Sequence, residues 1–204
     1  MPYTGKEETQ PGTQENPLSG YASRYTKDLE KALPGYYEVI LKSHQVKVEL
    51  TASDRVAFHR YTFPENVEKH VMINLKDANG DDRPTDTYLE QVNDSVVRGY
   101  RYSSGWSKKQ QIYFAAVFSQ PVHLTLYHDS IAVPGHALQG VDVKGNVNVA
   151  ESVKELSVKV GISPVSMENA AANIQYEIKD WNFERVVDEA TAKWNAELSK
   201  LLVE

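Results

Sequence analysis

The chain has 204 residues, a formal net charge of −6 and no cysteine. The lack of cysteine excludes a disulfide scaffold and thiolate metal sites. Nucleic-acid-binding proteins carry clustered Lys and Arg, and no basic stripe occurs here, so we expect no nucleic-acid partner. No run of about 18 apolar residues occurs either, so we expect no membrane span.

The first third of the chain opens with an arm and a candidate helical turn. Residues 1–20 are rich in Thr, Gly, Pro, Glu and Gln and contain almost no aliphatic side chains, which predicts a loop or flexible arm. Residues 21–33 are a candidate helical turn that Pro34–Gly35 ends. We therefore place a β-sandwich domain at residues 21–163.

Three β-rich runs follow between Gly35 and Pro64, and they predict an antiparallel meander. In the middle run, 46–52, the apolar residues Val46, Val48, Leu50 and Ala52 alternate with Lys47, Glu49 and Thr51. A period of two predicts a strand with one buried face. The outer runs carry apolar side chains on both sides, which is typical of strands between two layers.

The alternation continues through the middle of the chain. Further strands are predicted at residues 70–75, 87–92, 95–103, 112–118, 122–128, 141–143, 147–149 and 156–162. Asn93–Asp94 is typical of a tight hairpin turn. The segment Lys144–Gly145–Asn146 predicts a second hairpin turn.

The pattern changes after residue 163. Ser166 can cap a helix to about Ile178, and Asn182 can cap a second one. The second helix has an apolar stripe formed by Phe183, Val187, Ala190, Trp194, Leu198 and Leu201. Such a stripe needs a partner, either the sandwich or another domain. The fold class is therefore mainly β, an antiparallel β-sandwich followed by two C-terminal helices.

Four segments carry a resemblance to a known family. They are KALPGYYEVIL, VKVELTASDRVAFHRYTFP, RGYRYSSGWSKKQQIYFAAVFSQP and SVKVGISPVSMENAAANIQYEI, which begin at Lys31, Val46, Arg98 and Ser157. In this order they resemble the N-terminal β-domain of glycoside hydrolase family 92, the calcium-dependent exo-α-mannosidases. The resemblance implies a supersandwich-like domain, with residues 164–204 as a helical linker toward a catalytic α/α barrel outside this chain.

The resemblance also implies the chemistry of the parent protein. The full-length enzyme would remove terminal mannose from glycans with inversion, using calcium, and would be periplasmic or secreted, with its signal peptide upstream. The catalytic carboxylates of the family belong to the barrel, and nothing here matches their motifs. We therefore assign no catalytic residue, expect no cofactor in this chain and expect the isolated chain to be inactive. Missing upstream strands would leave a sheet edge open, which predicts self-association.

Histidines and acidic residues give no strong metal signal. His123 and His128 lie an odd number of residues apart on one predicted strand, so they point to opposite faces. His59 and His70 are on successive strands, where their side chains could meet, but without a recognisable ligand spacing. The segment 77–82 resembles a calcium loop only superficially, because an EF-hand needs Glu where Tyr88 stands, and Asn79–Gly80 is typical of a tight turn. No metal ligand is assigned.

Trp106 is the candidate substrate-binding residue. It lies in the polar segment Ser103–Lys109, where an exposed indole would contact the C–H faces of a sugar; the alternative is that it packs over the end of the sandwich. Trp181 and Trp194 are interpreted as packing residues. Arg60, within a predicted strand, requires a carboxylate partner if it is buried.

Two further functions are compatible with the sequence. A free-standing carbohydrate-binding module would bind mannose-containing oligosaccharides through an exposed aromatic residue such as Trp106. A structural or adhesion sandwich would bind no glycan and would dimerise through the helix stripe.

Overall fold

The computed structural model describes residues 1–13, 15–16, 19–78 and 80–200. Its strands are β1 Pro2–Thr4, β2 Glu30–Leu33, β3 Tyr36–Leu41, β4 Val46–Ala52, β5 Val56–Thr62, β6 Lys69–Asn74, β7 Arg83–Asn93, β8 Val96–Ser104, β9 Gln110–Phe118, β10 Val122–His128, β11 Ile131–Val133, β12 Ala137–Gly140, β13 Val143–Val149 and β14 Glu155–Ser163. The α-helices are α1 Met167–Glu177 and α2 Phe183–Leu198, and a short 3-10 helix spans Lys27–Leu29.

The strands form two antiparallel sheets that pack face to face. One sheet has the order β1-β6-β13-β10-β11 and the other has the order β12-β7-β8-β9-β14-β5-β4-β3-β2. The core between them contains the fully buried side chains Val46, Leu89, Val97, Val143, Val147 and Leu156. The mainly β sandwich with two C-terminal helices is confirmed. Neither described helix is long and apolar enough to cross a lipid bilayer.

The helices form a third layer on the outer face of the nine-stranded sheet. Phe58 from β5 and Ala115 from β9 pack there against Ile174 of α1 and Phe183 of α2. The prediction that the runs flanking β4 lie between two layers is confirmed. The prediction of one buried face for β4 is wrong, because its polar side lies in the same interface, where Glu49 is only 5% exposed.

The apolar stripe of α2 is therefore divided. Its first half packs on the sheet, with Phe183 2% and Ala190 9% exposed. Trp194 and Leu198, in the second half, are each 54% exposed. The last predicted member of the stripe, Leu201, lies outside the described residues. The sandwich is thus the partner of only part of the stripe.

Both helices begin as the sequence predicts. The Ser166 side chain accepts a hydrogen bond from the amide of Asn169, and the Asn182 side chain accepts one from the amide of Arg185. Each cap satisfies one of the amides that a helix start leaves unpaired. At the other end of α1, Lys159 of β14 donates to the Ile178 carbonyl at 3.0 Å.

The predicted loop over residues 1–20 is wrong for Pro2–Thr4. This segment pairs with β6, and Tyr3 is fully buried, with its ring stacked on His70 at 4.8 Å between centroids. Its hydroxyl donates to Asn146 at 2.9 Å. The composition of the segment was misleading because one aromatic residue, rather than several aliphatic ones, fixes it to the sheet.

The candidate helical turn over 21–33 is also mostly wrong. Only Lys27–Leu29 is helical, and Glu30–Leu33 is a strand that pairs with β3 across the Pro34–Gly35 turn. The predicted hairpin around Lys144–Asn146 is wrong as well, because β13 runs straight through it. A Cβ atom on Gly145 would lie 2.3 Å from the Leu89 side chain and 2.8 Å from the Leu124 side chain, so any larger residue here would displace these two buried leucines.

Candidate functional site

The candidate site is the end of the nine-stranded sheet where the β8–β9 loop projects. This loop is closed by hydrogen bonds from the Gly105 amide to the Ser107 carbonyl, 2.9 Å, and from the Ser107 hydroxyl to the Lys109 carbonyl, 3.1 Å. Trp106, at its tip, has a relative exposure of 106%. The indole is thus fully exposed, and the alternative in which it packs over the sandwich is not what the structure shows.

The base of this loop is tied to its neighbour, the β6–β7 loop. Arg101, on the core face of β8, donates to an Asp82 carboxylate oxygen at 2.6 Å and to the Leu75 carbonyl at 3.0 Å. The hydrogen bond from Arg101 is the main cause that lowers the pKa of the Asp82 carboxyl. The tryptophan therefore projects from a braced loop, and bracing reduces the entropy that a ligand contact costs.

A row of four tyrosines lies beside the loop on the outer face of the sheet. Tyr100 stacks on Tyr102 at 4.4 Å and on Tyr88 at 5.6 Å, and Tyr113 meets both Tyr100 and Tyr102 edge-on. The Tyr102 and Tyr113 hydroxyls are 2.6 Å apart, and Tyr100 donates to Asp86 at 2.9 Å. The four rings are half-buried and pack against one another.

The histidines named above do not converge. His59 lies on β5 of the nine-stranded sheet, whereas His70 lies on β6 of the five-stranded sheet and contacts the Gly5 carbonyl and Asn148, each at 2.8 Å. His123 and His128 are both exposed on β10, where they lie five residues apart. Within the described ranges, no group of three or more His, Asp or Glu side chains is placed to hold a metal ion.

Comparison with protein-family models matches residues 1–163 to the glycosyl hydrolase family 92 N-terminal domain. The chain belongs to this family. A comparison with curated proteins found no match. We refer to the chain below as the family 92 domain.

Solved structures support the same assignment. The family GH92 α-mannosidase BT3965 from Bacteroides thetaiotaomicron, in complex with mannoimidazole, superposes with a TM-score of 0.92 at 30% identity. That match covers 100% of this chain and 28% of the mannosidase. The family GH92 inverting mannosidase BT2199 from the same species has a TM-score of 0.82 at 20% identity, over 100% of this chain and 26% of its own, and shares the fold. The family 92 domain thus spans little more than a quarter of these enzymes.

Two carboxylates of the acidic loop of the family 92 domain, Asp77 and Asp82, make contacts within the protein. Asp77 accepts from the Asn74 side chain at 2.7 Å, and Asp82 is paired with Arg101. The predicted Asn79–Gly80 turn includes Asn79, which lies outside the described residues. Asp77 and Asp82 therefore serve as hydrogen-bond acceptors for neighbouring side chains.

Arg60 has the carboxylate partner that the sequence requires. Its guanidinium donates to both oxygens of Glu49, at 2.9 and 3.0 Å, and to Glu184 of α2 at 2.6 Å. The guanidinium also lies 4.3 Å from the centre of the Phe183 ring. The hydrogen bonds to Glu49 are the main cause that raises the pKa of Arg60. Arg60 therefore holds α2 on the sheet.

The other two tryptophans differ from each other. Trp181, in the α1–α2 connection, meets Phe58 edge-on at 5.9 Å and lies 4.1 Å from the buried ammonium of Lys159. It is a packing residue, as predicted. Trp194 is exposed and lines a groove between α2 and the β4–β5 turn, so the prediction that it packs within the domain is wrong.

We expect His59 to make the family 92 domain less stable as the pH falls from about 6.5 to 4. Burial is the main cause that lowers the pKa of its ring from 6.5 to about 4. In this window the unfolded chain binds a proton that the folded chain does not, so stability is lost as the pH falls. The shift corresponds to roughly 3 kcal/mol at most, and we expect about 2 kcal/mol because the ring keeps some solvent access.

Urea unfolding at pH 7 and pH 4.5 measures this effect in the wild type and in His59→Gln. Carboxylates titrate in both proteins, so the difference between the two pH dependences isolates the imidazole. The variant should lose less stability than the wild type over this interval. Equal losses in the two proteins would show that His59 does not carry the effect.

Proposed function

We propose that the family 92 domain is the N-terminal scaffold of a larger α-mannosidase, in which it packs against a catalytic α/α barrel and shapes the substrate cleft. The main support is that one superposition covers the whole of this chain but only 28% of the mannosidase BT3965. The domain supplies walls and orientation, and the catalytic carboxylates belong to the barrel.

The domain takes part in the cleft, in this proposal, through the β8–β9 loop. Trp106 is fully exposed on a braced loop and offers a flat apolar surface to the C–H face of a sugar. The hydroxyl groups of the neighbouring tyrosine row provide further donors and acceptors on the outer face of the sheet. Trp106 is therefore the residue that we assign to glycan contact.

The proposed reaction of the whole enzyme is removal of terminal mannose from glycans with inversion. An inverting enzyme needs a carboxylic acid and a carboxylate about 6.5–9.5 Å apart, with room for a water molecule between the base and the sugar. Calcium, bound by the barrel, would hold the sugar in a distorted ring. Glycans outside the cell are the substrates, so the parent protein is periplasmic or secreted.

Two surfaces of the domain fit its proposed partners. Trp194 and Leu198, exposed on the second half of α2, form an apolar strip for the barrel. Among the described strands, β2 is at the edge of the nine-stranded sheet, and its Leu33 is 53% exposed, so it is the candidate for self-association.

The first test is release of mannose from yeast mannan. Residues 1–204 alone should release none, whereas the full-length polypeptide should release mannose. NMR should show that the anomeric configuration of the released mannose is inverted. Release by residues 1–204 alone would contradict the scaffold proposal.

We expect Trp106→Ala in the full-length enzyme to lower kcat/KM for mannobiose by about tenfold, the size of one lost aromatic contact of roughly 1.4 kcal/mol. The thermal midpoint should stay within about 1 °C because the indole is fully exposed. Trp106→Phe, which keeps an aromatic face, should retain most of the activity. Unchanged kinetics in Trp106→Ala would show that Trp106 does not contact the substrate.

A second candidate function is a free-standing carbohydrate-binding module, favoured by the exposure of Trp106. The two functions separate in calorimetry of residues 1–204 with mannobiose. A scaffold should give no heat of binding, because the rest of the substrate cleft belongs to the proposed catalytic barrel. Saturable binding that Trp106→Ala abolishes would favour the module.

A further inference from the structure

An open pocket lies at the opposite end of the nine-stranded sheet from the Trp106 loop. The registers of the strands place Leu41 of β3 at the level of Glu155 of β14, whereas Tyr113 of β9 pairs with Ser163 at the other end of β14. The pocket adjoins the β3–β4 turn and has a volume of about 650 Å³. Its walls are formed by Ser23, Arg24, Tyr25, Thr26, Lys42 and Ser43.

Hydrogen bonds hold the two walls side by side. The Lys42 amide donates to the Arg24 carbonyl at 2.9 Å, and the Ser43 amide donates to the Ser23 hydroxyl oxygen at 3.0 Å. In the other direction, the Arg24 amide donates to the Ser43 hydroxyl oxygen at 3.3 Å. The backbones of the two cationic residues are therefore held next to each other, and both residues line the same pocket.

The charges at this pocket are not neutralised by ion pairs. Among the described residues, neither Arg24 nor Lys42 has a carboxylate oxygen within 4 Å, whereas Lys47, Arg60 and Lys76 each have one. Asp28 is a more distant neighbour. The pKa of its carboxyl is lowered first by a hydrogen bond with Thr26 and to a smaller extent by the charge of Lys42. Two cations and one carboxylate leave a local positive charge, which a compact anion complements.

We propose that this pocket binds a phosphate or sulfate monoester. Arg24 offers a planar fork of donors that matches two oxygens of such an anion, and Lys42 offers a point charge. The Ser43 hydroxyl oxygen already accepts a hydrogen bond from the Arg24 amide, so the proton of this hydroxyl can be donated to an oxygen of the anion. Tyr25, 54% exposed, supplies a ring face for the sugar or other group that carries the ester. The volume suits a monosaccharide phosphate.

Titration calorimetry of residues 1–204 at low ionic strength tests the proposal with inorganic phosphate, sulfate, mannose 6-phosphate and mannose. We expect saturable binding of the anions, no binding of mannose, and at least tenfold weaker binding in Arg24→Ala/Lys42→Ala. The matched control Lys154→Ala/Lys179→Ala removes the same charge from exposed lysines elsewhere and should bind as the wild type does. All four side chains are exposed, and circular dichroism checks that the variants fold.

The outcomes separate the sources of the anion. Tighter binding of mannose 6-phosphate than of inorganic phosphate would identify a sugar-borne ester as the ligand, and equal binding would identify the free anion. No saturable binding of any anion, or an equal loss in both double variants, would overturn the proposal. The result is independent of mannosidase activity, so it stands or falls separately from the scaffold function.

Discussion

Phe183→Ala should reduce the free energy of unfolding of the family 92 domain by about 4 kcal/mol. Phe183 is 2% exposed and packs edge-on against Phe58 at 5.2 Å and against Tyr36 at 6.5 Å, so its removal opens a cavity between α2 and the sheet. Large-to-small substitutions of buried aromatic residues cost about 3–5 kcal/mol. Urea unfolding followed by circular dichroism and by tryptophan fluorescence measures the loss.

Trp194→Ala is the matched control on the same helix. Its side chain is 54% exposed, so truncation should change stability by less than about 0.5 kcal/mol. Similar losses in the two variants would mean that the whole stripe of α2, and not only its first half, is buried in the isolated domain.

Arg60→Ala should cost about 3 kcal/mol at pH 7. The substitution leaves Glu49, 5% exposed, without the guanidinium that contacts both of its oxygens. Removing one member of a buried ion pair typically costs about 3–5 kcal/mol because the remaining charge is uncompensated. The expected loss is at the low end because Lys47 remains 3.3 Å from Glu49.

The pH dependence of this variant provides a second check. Burial raises the pKa of Glu49, but hydrogen bonds from Arg60 and Tyr36 outweigh it and lower the pKa below 4.5. The pair therefore contributes stability above about pH 4.5 and loses it as the pH falls. The difference between wild type and variant should shrink on acidification. Arg185→Ala, which breaks an exposed pair with Glu189, should cost less than about 1 kcal/mol at any pH.

Features that depend on neighbours in the chain were predictable from the sequence. Alternation placed Val71 and Leu75 on the core side of one run, where both are 7% exposed. The caps Ser166 and Asn182 were predictable because a cap bonds an amide three residues away. The hairpin at Asn93–Asp94 was predictable from its turn residues, and β7 and β8 flank it.

Features that depend on contacts between distant residues were not predictable in this way. The polar side of β4 looked solvent-exposed because nothing local indicates that α2, about 130 residues later, packs over this strand. Gly145 looked like a turn residue because glycine is common in turns. The structure instead places it against the side chain of Leu89 in the other sheet, where a larger residue would collide. In both cases the deciding partner is remote in sequence.

Part of the candidate site was predictable from the sequence and part was not. Trp106 was noticeable because a tryptophan stands out in a segment of Ser, Gly and Lys. The tyrosine row was missed, although Tyr100 and Tyr102 are spaced as neighbours on one strand face. Recognising the row requires the register that places Tyr88 and Tyr113 opposite Tyr100.

The close seating of α1 on β14 limits how members of this family can be recombined. A Cβ atom on Gly161 would lie 2.2 Å from the Ala170 carbonyl oxygen, so helix and strand are fitted to each other at backbone distance. The family match ends at residue 163, but a chimera joined there would graft a foreign helix onto a surface shaped for its own. Swaps between members of this family should therefore be joined beyond α2, so that the sandwich keeps both of its helices.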